Sequence, residues 1–188
     1  MGEAGLERDG ARGPRVLFEA ALLRVGGRPI LRLSEEASSE LPSRGQVAVK
    51  GVMNSLPFET VVEPDGMRGH WLKLDGKVQE TLELSEGELV TVEIEPIKAW
   101  PERDVPDDFQ TALDSAPEIA ERWEDITPMA RWEWVRWINA TKNPGTRSRR
   151  VEVGISKLRK GLRRPCCFDL AACTDPDLSK NGKLIDVQ

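Results

Sequence analysis

Between residues 128 and 165 eleven side chains are lysine or arginine and only Glu133 and Glu152 are acidic, a balance of +9 in a chain whose total is −5. Cations at that density attract anions. Lys142, Arg147 and Arg150 lie around an expected helix start at Thr146. Free backbone N–H groups beside guanidinium groups are suited to holding a phosphate, a carboxylate or an acidic partner. These three are the candidate binding residues. The plainer alternative is that the basic stripe is solvated or faces the acidic stretch from Glu102 to Asp125, where exposed ion pairs contribute little.

Other residue types offer less. Trp123, Trp132, Trp134 and Trp137 crowd into fifteen positions. Interleaved with arginines they could stack on bases, but packing with a satisfied indole N–H is the commoner use, and is expected for Trp132 and Trp137. Cys166, Cys167 and Cys173 lack the paired C-x2-4-C spacing of a zinc site, and no metal is expected. Arg163 and Arg164 beside them leave a thiol-based redox sensor as one alternative. The single histidine, His70, has no identifiable nucleophile to serve. With no Walker loop, no dinucleotide fingerprint and no H-E-x-x-H, neither a catalytic residue nor a cofactor is expected.

The elements that must position these residues can be read from pattern. At 188 residues and 39% apolar content, the chain can bury a sizeable core. Neither a membrane-spanning run nor a signal-like start is present, so a cytoplasmic protein is expected. Residues 1–15 read as a flexible N-terminus. From 16 to 96, net −6, short runs rich in Val, Ile and Leu alternate with turn chemistry at Gly26-Gly27, Leu41 to Gly45, Pro64-Asp65-Gly66 and Leu74-Asp75-Gly76. Leu89 to Glu95 alternates with period two. About seven short strands without crossover helices imply an antiparallel barrel or sandwich.

From 97 to 165 the signals turn helical. Pro106-Asp107-Asp108, Pro117-Glu118 and Thr127-Pro128 are helix starts, the last opening a helix that runs to about Lys142. Asn143-Pro144-Gly145 should break it. Thr146 should then cap a final helix with Val151, Ile155, Leu158 and Leu162 in one stripe, weakened at Gly154. Residues 166–188 form a cysteine-containing tail. The fold class is therefore α+β, a small β-domain followed by a helical region.

The order of pieces resembles a known pair. Gly51 to Phe58, Gly69 to Leu74 and Val92 to Pro96 are similar to the small β-barrel domain of unknown function that often precedes a YdeI/OmpD-associated, bacteriocin-protection region. Val105 to Phe109 with Ala112-Leu113, Trp137 to Ala140 and Thr146 to Val151 resemble that region itself. The resemblance implies a barrel of the double-split, AbrB-like type with a helical cap, and a bacterial role in resistance to bacteriocins and cationic antimicrobial peptides. The resulting expectation is a non-enzymatic stress-resistance protein that binds an anionic ligand or partner. A nucleic-acid-binding regulator is the first alternative, opposed by the acidic β-domain.

Overall fold

The computed structural model describes residues 14–74, 76–165 and 175–185. Cys166, Cys167 and Cys173 lie outside them, as does most of the segment read as a flexible N-terminus. Seven strands, β1 (Val16–Ala21), β2 (Leu23–Val25), β3 (Arg28–Arg32), β4 (Val47–Met53), β5 (Leu56–Pro64), β6 (His70–Lys73) and β7 (Leu89–Pro96), form one sheet. Its order is β1-β7-β4-β5-β6-β3-β2, with every pairing antiparallel. Most of β5 pairs with β4, and its last residues, Glu63 and Pro64, pair with Trp71 and His70 of β6. The sheet thereby curls into a half-barrel. Alternation decides what fills it: Phe18 faces Val92 and Ala20 faces Val90 across β1 and β7, while Leu17 and Leu89 point to solvent. Val16, Val49, Val62, Leu72 and Ile94 complete the inner layer, each burial stabilising by about 1.5–3 kcal/mol.

Turn chemistry explains the hairpins. Gly26 and Gly27 both take left-handed φ, +56° and +77°, as a two-residue turn between β2 and β3 requires. Asn54 and Ser55 make the same kind of turn between β4 and β5 without a glycine, at φ +44° and +72°, and sequence pattern alone did not mark them. One expected turn is different. Gly76 after Leu74 opens a short helix, α2 (Gly76–Thr81), following α1 (Glu35–Ser39), whose first turn is capped by Ser34 Oγ.

After the sheet come α3 (Asp107–Asp114), a 3-10 turn (Pro117–Ile119), α4 (Ala120–Asp125), α5 (Pro128–Asn139) and α6 (Pro144–Arg159). Thr127 Oγ1 accepts from the Ala130 N–H at 3.3 Å with Pro128 next, the predicted start of α5. The helix ends at Asn139 instead of Lys142. Asn143-Pro144 does not merely break the chain, and Thr146 is not the cap. Asn143 Oδ1 accepts from the Thr146 N–H at 2.9 Å, so α6 begins one turn earlier than expected. Asparagine is at least as good a cap as threonine, and proline suits the first helical position. Phe109, Leu113, Trp134, Ile138, Val151, Ile155 and Leu158 form a second core. Gly154 faces Phe109 and Trp134 with room for a methyl group in ordinary contact, 3.5 Å from the nearer ring.

A third, smaller core lies on the far side of the sheet. Strands β8 (Ser179–Lys180) and β9 (Lys183–Leu184) form a hairpin that brings Leu178 and Leu184 onto Val25, Ile30 and Trp71. Backbone meets backbone there: a side chain at Gly26 would strike the Asp177 carbonyl and one at Gly66 the Gly182 carbonyl.

His70 serves the fold. It is fully buried, its Nε2–H donates to the Gly45 carbonyl at 2.9 Å, its backbone N–H donates to Ser38 Oγ at 3.0 Å, and Nδ1 is buried without a partner. Burial pushes its pKa below 6.5, against the opposing pull of the Gly45 bond and Asp65. Below that pH the unfolded chain binds the proton more readily than the folded one. Stability should therefore hold above about pH 7 and fall as pH drops through 6.5, with a slope of at most about 1.4 kcal/mol per pH unit. Urea titrations of the wild type and His70→Gln across that range check this. Equal slopes in the two proteins would remove His70 as the cause.

Candidate functional site

Four of the eleven basic residues between 128 and 165 reach across to the acidic residues before them. Arg131 pairs with Glu102 at 2.9 Å, Arg147 with Asp108 at 2.6 Å, Arg159 with Glu118 at 2.6 Å and Arg163 with Asp125 at 2.7 Å. The plainer alternative read from sequence thus describes part of the stripe.

The three candidate residues share no common partner. Lys142 Nζ is 2.6 Å from Asp177 Oδ1 on the hairpin. Arg147 grips Asp108 through Nε and NH2, at 2.6 and 2.8 Å, and donates to Asn139 Oδ1 at 2.9 Å, tying α6 to α3 and α5. That guanidinium holds the Asp108 carboxyl below the usual carboxylate range. The Thr146 N–H is taken by Asn143, so it is not free for an anion.

Arg150 is placed differently. Its NH1 donates to the Trp137 carbonyl at 2.5 Å, and its guanidinium lies 5.5 Å from the centre of the Trp137 ring. Lys157, two turns further along α6, reaches the same ring at 5.2 Å and donates to the Pro165 carbonyl at 2.8 Å. A half-buried indole is thus flanked by two cations, each with donors to spare. The ring is steadied from below by Trp134, edge-on at 6.0 Å.

A second gathering of charge lies where helices meet sheet. Arg136, only 4% exposed, projects from α5 and its NH2 donates to Glu63 Oε2 of β5 at 2.7 Å. Arg103 lies over the Trp132 ring at 4.4 Å. Trp132 is itself held by an Nε1–H bond to the Pro101 carbonyl at 2.6 Å and by Trp100, edge-on at 6.1 Å. Arg103 NH1 is buried and has no hydrogen-bond partner. Burial lowers the Arg103 pKa from its ordinary value, with Glu63 opposing and the Arg136 charge adding to the fall. These groups border a cleft of about 450 Å³ that Arg28, Val61, Leu74, Asp175 and Leu178 also line. Sequence reasoning missed this set. The available signal was Arg136, which interrupts the buried run Trp134, Val135, Ile138 on α5.

Comparison with known families divides the chain at the same seam. Residues 18–94 match a domain of unknown function, DUF1905, and residues 102–161 match the family described as bacteriocin-protection, YdeI or OmpD-associated. The chain carries a DUF1905 domain followed by a YdeI/OmpD-associated region. No curated protein matches it. The buried ion pair therefore joins the two parts, Glu63 from the DUF1905 domain and Arg136 from the YdeI/OmpD-associated region, and Arg103 stands at the entry to the latter. Among the described residues no helix is long and apolar enough to cross a membrane, and no three His, Cys, Asp or Glu side chains are grouped to hold a metal ion.

Proposed function

We propose that this DUF1905–YdeI/OmpD-associated protein is a cytoplasmic binding protein without catalytic activity, acting in bacteriocin protection by engaging an acidic protein partner through its basic helical face. The observation that carries this reading is the Trp137 ring flanked by Arg150 and Lys157. A cation pair fixed on an aromatic platform presents positive charge with little side-chain entropy left to lose on binding. Lys142 and Arg147 support that face, one through the hairpin and one through α3, and add to its field. The acidic β-domain, −6 between residues 16 and 96, favours a compact acidic partner over nucleic acid, whose extended phosphate charge would meet repulsion there.

The test is fluorescence anisotropy with a labelled oligoglutamate peptide and a labelled oligodeoxythymidine. The double variant Arg150→Gln/Lys157→Gln should bind the peptide about tenfold more weakly, a change of about 1.4 kcal/mol. Its folding stability should fall by no more than about 1–2 kcal/mol, the two lost carbonyl contacts. A clear preference for the oligonucleotide, with steep salt dependence, would replace this reading with nucleic-acid binding. Unchanged peptide affinity in the double variant would remove the Trp137 face.

A further inference from the structure

We infer that the cleft between sheet and helices is a binding site for a small organic monocarboxylate, whose acid group pairs with the Arg103 guanidinium. The site is separate from the Trp137 face and needs no partner protein. Three arginines line the cleft, and two are already committed. Arg136 is bonded to Glu63 at 2.7 Å, and Arg28 to Asp175 at 2.5 Å and Asp177 at 3.1 Å. The Arg103 guanidinium lies over the Trp132 ring at 4.4 Å, and its NH1 is buried with no hydrogen-bond partner. A buried charged donor without an acceptor is destabilising, so an oxygen acceptor arriving beside it recovers that cost.

The surroundings specify the acceptor. Trp132, fixed by its own bonds, sets the plane of the guanidinium, and a planar fork of N–H groups matches a carboxylate. Glu102, Asp104 and Asp175 line the same cleft, so a ligand with a second negative charge meets repulsion and a monoanion is preferred. Val61, Leu74 and Leu178 supply apolar wall for the rest of the molecule. The volume of about 450 Å³ lies within the range of small-molecule sites.

The experiment follows the arginine Nε–Hε resonances of the full chain by NMR as sodium benzoate or inorganic phosphate is added. Benzoate should shift the Arg103 resonance saturably, with a midpoint at or below about 10 mM, and phosphate should act at least about tenfold more weakly. Arg149→Gln, at an exposed position outside the cleft, should leave the titration unchanged, and Arg103→Gln should abolish benzoate binding measured by calorimetry. An Arg103 resonance that benzoate does not move overturns the inference, and because the measurement is made on the wild type it does not depend on any variant folding. Phosphate binding more tightly than benzoate overturns the monocarboxylate assignment. A benzoate response confined to Arg150 overturns the cleft while leaving the proposed function standing.

Discussion

Replacing Glu63 with leucine should lower the unfolding free energy by about 3–5 kcal/mol, because it takes the carboxylate away from the largely buried Arg136 guanidinium. Arg136 is 4% exposed and Glu63 8%, and Arg103 supplies a second positive charge close by. The double variant Glu63→Leu/Arg136→Met should recover most of the loss. A hydrophobic pair of similar volume in place of a buried ion pair is often neutral or better. Urea unfolding of the two single variants and the double variant closes the cycle. A coupling energy near zero would mean that water screens the pair, and the ion pair would no longer join the two parts of the fold.

Trp134→Ala should cost about 3–5 kcal/mol, the range for emptying an aromatic site in a core. Trp134 is fully buried, edge-on to Trp137, and its Nε1–H donates to the Arg163 carbonyl at 3.1 Å, so both a cavity and an unmet carbonyl result. The damage should be uneven. Trp134 belongs to the core of Phe109, Ile138 and Leu158, which is separate from the core of Val49, Val62 and Ile94 inside the sheet. Hydrogen exchange should show amides of α3, α5 and α6 losing protection while β4, β5 and β7 keep theirs. Equal loss in both would mean that the two cores unfold as one unit. The Glu63 substitution, at the seam, should by contrast loosen both sides.

Local chemistry made much of the fold legible. The alternation from Leu89 to Glu95 appears in the structure as buried Val90, Val92 and Ile94 with Leu89 and Thr91 exposed, and Thr127-Pro128 opens α5 as read. What failed did so for physical reasons. Asn143 caps α6 and Pro144 opens it, three residues and more beyond the end of α5, and a reading that gave them only the role of breaker moved the start of α6 to Thr146. Helix α2 buries none of its residues, so no apolar stripe announced it. The cleft could not be seen because its parts are common residue types far apart in sequence, Glu63 and Arg136 being 73 positions from one another. Their meaning comes from burial, and burial there depends on how helices dock on the sheet. Lys142, Arg147 and Arg150 were conspicuous for the opposite reason, as neighbours in sequence that fold toward three different partners.

The hairpin at residues 175–185 has a consequence for biosynthesis. Trp71, Ile30 and Val25 receive their cover from Leu178 and Leu184, which leave the ribosome more than a hundred residues later. At about 5–20 residues per second that interval is on the order of ten seconds, during which a nascent sheet shows a greasy flank to the cell. Chaperone dependence during translation is the expected price, and it should deepen in any variant that delays or weakens the arrival of those two leucines.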